Sequence, residues 1–388
     1  MIAKKMVKFV EGSSVTRAMF EEGKKMAVEF GAENVYDFSL GNPSVEPPKQ
    51  VKEAIIETLN EDAPNFVHGY MNNSGYEEVR ERIAQSLNRR FDTKFSQNNI
   101  IMTVGAAGGL NVALKTLLDP GDEVIAFAPY FGEYNNYVAN FDGVMVVVPA
   151  DVPSFQLDLE TFAKKITAKT KAVIVNNPNN PTGTVVDSEE LKEFIHKVPK
   201  DIIIVVDEAY IELSSNPDVK SMVSEISDDT NVVVARTFSK LYGLAGVRLG
   251  YAMCNKEMHA ILQKCTSVFT GSRVALAGAM AALDDEEYIK KTKAAMLEGR
   301  KYLTDEFTKM GFYVYPSETN FLYVNTGYNA AEFAEECKKY GLIIRGNFDY
   351  SRITVGRMDQ NEKMVGIIKK IIESGELKKY ENYVYDTP

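Results

Sequence analysis

Between residues 95 and 255 the chain alternates short apolar runs with longer amphipathic ones. The apolar runs fall at 98–104, 123–128, 144–148, 171–175, 202–206, 232–236 and 249–254. Several lack the alternation of a half-exposed strand; Ile202-Ile203-Ile204-Val205-Val206 is apolar throughout. A strand that is apolar on both faces belongs between two helical layers, hence in a mostly parallel sheet. Helical spacing at 107–118 and 188–198 supplies connecting helices. The pattern predicts an α/β fold, a mostly parallel seven-stranded sheet sandwiched by helices.

The chain ends read differently. Residues 13–30 and 48–60 have helical spacing, and the last third has helical stretches at 284–310, 330–340 and 361–374. Two short strands are expected between them, near 321–324 and 352–355. This predicts a smaller α+β domain built from both ends, residues 1–47 with 281–388, set against a large domain of residues 48–280. The acidic run Asp284-Asp285-Glu286-Glu287 suits a helix start, where negative charge meets the positive end of the dipole. Residues 77–90 alternate acids and bases as a solvated helix face does. Neither a flexible linker nor an internal repeat is visible.

Composition narrows the field. The 388 residues are 45% hydrophobic and 25% charged, the balance of a globular protein with room for more than one core. A net charge of -10 argues against binding to nucleic acid or anionic membranes, though a local cationic pocket stays open. Cys254, Cys265 and Cys337 are odd in number and widely spaced, as are His68, His196 and His259, so neither a disulfide frame nor a metal site is expected. No apolar run approaches the roughly 20 residues needed to span a bilayer. The start lacks the apolar core of a signal peptide, and a cytoplasmic protein is expected.

Polar residues gather where such a sheet would place its ligand, beyond the carboxyl ends of the strands. Gly105-Ala106-Ala107-Gly108-Gly109 follows the first strand and opens a helix, where small residues let amides approach an anion. Asn176–Gly183, Asp207-Glu208-Ala209-Tyr210 and Thr237-Phe238-Ser239-Lys240 follow three others, with Arg248 shortly after. Each piece alone has an ordinary explanation: a tight turn, loop punctuation, a helix cap, a surface lysine. Together they supply a phosphate cradle, an amide donor, an acid with a phenol, and a lysine among hydroxyls. Those are the needs of a phosphorylated aromatic aldehyde.

Asn176–Gly183, Asp207–Tyr210 and the segment Arg236–Tyr251 closely resemble the motifs of fold-type I aminotransferases, classes I and II. The resemblance runs from Phe38-Ser39-Leu40-Gly41-Asn42-Pro43 to Ser351-Arg352-Ile353-Thr354-Val355-Gly356. It implies a homodimeric enzyme that moves an amino group between an amino acid and a 2-oxo acid, with pyridoxal 5'-phosphate held covalently on Lys240. By the same resemblance the Lys240 amine is the general base, Asp207 sits against the ring nitrogen, and Tyr210 and Asn180 donate to the ring oxygen. Phe131 matches the residue stacked on the ring. Thr237, Ser239, Arg248 and the Gly105-Ala106-Ala107 turn match the phosphate site, which Tyr70 of the partner subunit also reaches. Arg352 matches the binder of the substrate's α-carboxylate, and Gly41 the residue whose backbone closes over the substrate. The alternative for Tyr70 is a core aromatic, and for Gly41 a plain turn before Pro43.

Substrate identity is divided. The N-terminal half, with Gly69-Tyr70 and Thr103-Val104-Gly105, resembles the aspartate and aromatic subgroup. Arg236–Tyr251, Pro316–Phe321 and Ile343-Ile344-Arg345 resemble histidinol-phosphate aminotransferases, in which the arginine matching Arg345 helps bind the substrate phosphate. Leu40-Gly41-Asn42-Pro43 departs from the Asn-Glu-Asn-Pro pattern of that subgroup, and Arg345 could be a surface or ion-paired residue. The expected donor is aspartate-like or broad, with histidinol phosphate second and 2-oxoglutarate a suitable acceptor. A β-lyase or decarboxylase could use the same cofactor site. A DNA-binding regulator is not expected, since the residues before Gly41 leave no room for its extra domain.

Overall fold

The computed structural model describes residues 5–7 and 15–379. Its strands, in chain order, are β1 (Tyr36–Asp37), β2 (Ile100–Thr103), β3 (Glu123–Phe127), β4 (Val144–Val148), β5 (Thr170–Asn176) and β6 (Ile203–Asp207). There follow β7 (Val232–Thr237), β8 (Gly250–Met253), β9 (Tyr313–Val314), β10 (Phe321–Asn325), β11 (Leu342–Ile343) and β12 (Ser351–Thr354). Seven of them form one sheet in the order β2-β8-β7-β6-β5-β3-β4. The pairs from β7 through β4 are parallel, and β8 is antiparallel to both its neighbours. The seven apolar runs are therefore the seven strands, mostly parallel as their two-faced apolarity predicts.

Alternation sends neighbouring residues of one strand to opposite layers. Ile204, Val206, Val232 and Val234 pack into one core, while Ile203, Val205, Val233 and Ala235 pack into another on the far face. Burying a Val or Ile side chain contributes roughly 1.5–3 kcal/mol. A helical layer on each face is what lets both sets contribute.

A third core joins Phe38 to Phe307, Leu322, Phe333, Leu342, Ile353 and Ile368. There β9, β10 and β12 form an antiparallel sheet, and β1 pairs in parallel with β11. Two-residue strands such as β1, β9 and β11 carry too little pattern to be anticipated. Tyr36 and Leu342 pair across more than 300 positions of chain, so both ends of the sequence share this core.

The helices Lys49–Glu61, Glu286–Lys309, Ala330–Lys338 and Met358–Ser374 lie within a few residues of expectation. Asp285 caps the second of these by accepting from the Tyr288 amide at 3.0 Å. Helix Val15–Phe30 is present, while residues 13 and 14 of that expected helix lie outside the described residues. Arg273–Leu283 was not anticipated, because RVALAGAMAAL has almost no polar face to give it a period. Glu133–Asn140 was missed for the opposite reason: EYNNYVAN offers almost no apolar stripe. Helix Glu77–Phe91 corrects the solvated-face reading. Val79, Ile83, Ala84 and Leu87 are buried, and Arg80, 4% exposed, donates to the Gln97 carbonyl at 2.8 Å.

Candidate active site

β2, β5, β6 and β7 run the same way, and β8 returns between β2 and β7, so Gly250 pairs with both Thr103 and Thr237. Residues just past these strand ends are therefore neighbours at one edge of the sheet.

Helix Gly105–Leu117 starts there, and the first-turn amides of Ala106 and Ala107 have no acceptor within the helix. Gly105 has φ +69°, and a Cβ on it would stand 3.1 Å from Arg248 Nη2 and 3.7 Å from Thr237 Oγ1. Thr237 Oγ1 donates to Ser239 Oγ at 2.8 Å and accepts from the Ser239 amide at 3.1 Å. Arg248 Nη1 donates to Ser239 Oγ at 3.3 Å and to the Ala245 carbonyl at 2.8 Å. Among the described residues no carboxylate lies within ion-pair distance of Arg248. A guanidinium, two hydroxyls and an open helix end, with space kept by a missing Cβ, fit a phosphate dianion.

Asp207 closes β6, buried. Its Oδ2 accepts from the Tyr134 hydroxyl at 2.6 Å and its Oδ1 from the Ala209 amide at 3.1 Å. Burial pushes this carboxyl above its ordinary range, while those hydrogen bonds and the nearby Lys240 oppose the shift. An acid poised in this way fits a protonated heterocyclic nitrogen. Asn180 is oriented by Asn176, whose Oδ1 accepts the Asn180 amide at 2.7 Å. The Asn180 amide nitrogen faces the Tyr210 hydroxyl at 3.5 Å. Burial pushes the Tyr210 phenol up to about 12 against the pull of Arg352, so it remains a donor at neutral pH.

Lys240, half-buried after β7, donates to the Gly41 carbonyl at 2.8 Å and stands 5.3 Å from the centre of the Tyr210 ring. Burial lowers its pKa to about 8; Arg352 and Arg248 push the same way, and Asp207 opposes. Such an amine is partly neutral near pH 7, as a nucleophile and a base must be. Gly41 has φ +71°, which accounts for glycine there. Its amide donates to Thr354 Oγ1 at 3.0 Å, and its carbonyl also accepts from Asn320 at 2.9 Å.

Arg352 and Arg345 are cross-strand partners through two backbone hydrogen bonds, at 2.9 and 3.1 Å. Arg352 is 2% exposed; it donates to Asn180 Oδ1 at 2.7 Å and to the Ser39 carbonyl, and its Nε has no hydrogen-bond partner. Arg345 is 9% exposed and donates through Nε to Asn347 at 2.9 Å. Among the described residues neither guanidinium has a carboxylate within ion-pair distance. Burial, and then Arg345, lower the Arg352 pKa to about 9, and burial lowers Arg345 too. Arg345 is thus neither a surface residue nor an ion-paired one.

Two expected residues stand apart. Phe131 is half-buried, with the Tyr134 ring edge-on to it at 5.7 Å. Tyr70 is 88% exposed, stacked on Phe269 at 4.4 Å, and belongs neither to the core nor to the buried cluster of its own chain. The motifs gave no notice of Tyr134 and, although they included Thr354, assigned it no role. The spacing of Tyr130, Phe131 and Tyr134 after Pro129 was the available hint for Tyr134.

The family described as "Aminotransferase class I and II" matches residues 33–368. Histidinol-phosphate aminotransferase 2 of Carboxydothermus hydrogenoformans is 36% identical over 282 residues, covering 71% of this chain and 77% of that one. An amino transferase structure from Eubacterium rectale superposes with a TM-score of 0.82 at 29% identity, over 97% of this chain and 99% of that one. The histidinol-phosphate aminotransferase of Sinorhizobium meliloti, solved with pyridoxal-5'-phosphate, has a TM-score of 0.79 at 25% identity, over 91% and 94%. A match over this span, around a site whose residues fit a phosphorylated heterocycle, means that the chain belongs to the class I and II aminotransferases, pyridoxal-phosphate-dependent enzymes.

Proposed function

We propose that this aminotransferase takes its amino group from histidinol phosphate, or from an amine with a phosphate in the same place, and passes it to a 2-oxo acid such as 2-oxoglutarate. The observation that carries this reading is the buried pairing of Arg345 with Arg352, with no carboxylate within ion-pair distance among the described residues. Two like charges taken out of water are each costly and repel one another, so the pair calls for an anion. A monocarboxylate suits one guanidinium in a bidentate fork. A phosphate dianion, with two charges and three oxygens, suits two. In histidinol phosphate the phosphate ester hangs where an amino acid has its carboxylate, which aims it at Arg352 with Arg345 beside it. Similarity to relatives named histidinol-phosphate aminotransferase supports the same donor and reverses the aspartate-first order expected from the sequence. A dicarboxylic acceptor would use one arginine for each carboxylate.

When bound, the cofactor takes up the amino group and accepts the electrons of the breaking Cα–H bond. In this reading Lys240 holds it and moves the proton at Cα. Asp207 keeps a proton on the ring nitrogen; Tyr210 and Asn180 donate to the ring oxygen; Phe131 covers one ring face. Gly105, Ala106, Ala107, Thr237, Ser239 and Arg248 hold the phosphate, and the Gly41 backbone closes over the substrate. Tyr70 of the partner subunit completes the phosphate site in a homodimer. The exposure of Tyr70, stacked on Phe269 whose chain neighbour Val268 is 63% exposed, supports this, since such side chains call for cover. The division into residues 48–280 and 1–47 with 281–388 belongs to the same proposal.

The test mixes holoenzyme with single donors, without acceptor, and follows the visible absorption of the bound cofactor. Histidinol phosphate is expected to bleach it fastest, and 2-oxoglutarate to restore it. Faster bleaching by aspartate overturns the proposed donor. Release of carbon dioxide, or of pyruvate with ammonia, points instead to a decarboxylase or a β-lyase.

A further inference from the structure

We infer that Tyr134 is a positioning residue for the cofactor ring, setting through Asp207 how firmly the ring nitrogen holds its proton. Tyr134 is the second residue of helix Glu133–Asn140 and is 1% exposed. Its hydroxyl donates to Asp207 Oδ2 at 2.6 Å. Its ring meets Phe131 edge-on, 5.7 Å away at 90°, and lies parallel to Tyr130 at 6.1 Å. One side chain therefore touches both the acid assigned to the ring nitrogen and the aromatic assigned to the ring face. The inference rests on those two assignments.

A buried carboxylate stays ionised only as far as donors and cations hold it so. Among the described residues Asp207 has two donors to its side chain, the Ala209 amide and the Tyr134 phenol. The other charged or titratable groups facing it are Glu208 and Tyr210 from its own segment, Tyr137 from the helix of Tyr134, and Lys240 from beyond β7. Burial pushes the Tyr134 phenol well above its ordinary value, so it stays a donor through the working range of pH. Without this hydroxyl the carboxylate keeps one donor and becomes more basic. It then holds a neighbouring ring proton less as an ion pair and more as a shared proton. A protonated ring nitrogen withdraws electrons and makes groups conjugated with the ring less basic. Weakening it raises the pH at which they titrate.

The test is Tyr134→Phe, which keeps the ring and removes the oxygen. The readouts are the pH midpoint of the holoenzyme's visible band, the affinity of the apoenzyme for pyridoxal phosphate, the Tm of the apoenzyme, and steady-state kinetics. The midpoint is expected to rise and the cofactor to bind more weakly, with kcat falling roughly tenfold, the scale of one hydrogen bond to a charged group. KM and the apoenzyme Tm are expected to move little. In an Asp207→Asn background the same substitution should add nothing. A full effect there overturns the inference, because the phenol would then act elsewhere; so does a fall in apoenzyme Tm with an unmoved midpoint. Asp207→Asn alone keeps the two readings apart. If it leaves the midpoint unmoved, the assignment of Asp207 fails; if it moves the midpoint and Tyr134→Phe does not, only the role of Tyr134 fails.

Discussion

Arg345→Ala separates the donors. The guanidinium it removes is buried, hydrogen-bonded among the described residues through Nε to Asn347, and set beside Arg352. A hydrogen bond to a charged group is worth about 1.5–3 kcal/mol when its partner is lost. The variant should therefore lose roughly 10- to 150-fold in kcat/KM for histidinol phosphate. Alanine, whose single carboxylate needs only Arg352, should lose little. Arg352 should in fact recover basicity, because Arg345 is the charge that follows burial in lowering its pKa to about 9. The apoenzyme should be at least as heat-stable as wild type, since a buried cation with no carboxylate at ion-pair distance among the described residues has been taken away. The assay is kcat/KM for histidinol phosphate, aspartate and alanine, with Tm measured on both apoenzymes. An equal loss for all three donors would refute the reasoning and make Arg345 a structural residue.

Lys240 carries a pH prediction. Its pKa, lowered to about 8, means that the neutral amine accumulates as pH rises through that value. The rate at which apoenzyme captures pyridoxal phosphate should climb with pH and level off just above 8; a rise that continues past 10 would contradict the burial argument. Gly105→Ala places a Cβ 3.1 Å from Arg248 Nη2 at a positive φ, and should weaken cofactor binding by roughly tenfold in equilibrium titrations. Arg236 donates to Glu208 at 2.9 and 3.0 Å and to Glu212 at 3.5 Å, all behind the site. Arg236→Ala leaves buried acid without its partner and should cost about 3–5 kcal/mol of stability, read as a lowered apoenzyme Tm.

What the sequence made legible is what is written locally. The strands at 202–206 and 232–235 are apolar on both faces because both faces are covered, and four or five contiguous residues suffice to show it. The motif at Lys240 carries its neighbours with it, since Thr237, Ser239 and Arg248 lie on one turn of chain. Contacts between distant segments were not legible. Tyr134 meets Asp207 across 73 positions, from a helix without an apolar stripe. The solvated reading of residues 77–90 failed at Arg80, which is buried and donates at 2.8 Å to the Gln97 carbonyl beyond the end of its helix. The pairing of Arg345 with Arg352 needed the register of a strand edge, which short strands do not announce.

Those nonlocal pairs also explain how an acidic chain serves anions. The net charge is -10, yet among the described residues the charges acting on Lys240 are Arg248 and Arg352, the latter with Arg345 beside it, against the acid Asp207. After burial, Arg352 and Arg248 are the causes that lower the Lys240 pKa. An anion on either arginine cancels part of that field, so the amine becomes more basic as each anion arrives. The order matters. On the proposed assignments, the amine of the bare chain is weakly basic and free to attack an aldehyde; with phosphate on Arg248 and a substrate anion on Arg352 it would be a stronger base, when a proton must be taken from Cα. On those assignments the cations that would bind the two anions would also time the basicity of the lysine between them, a coupling that depends on their distance from Lys240 and not on the charge of the whole.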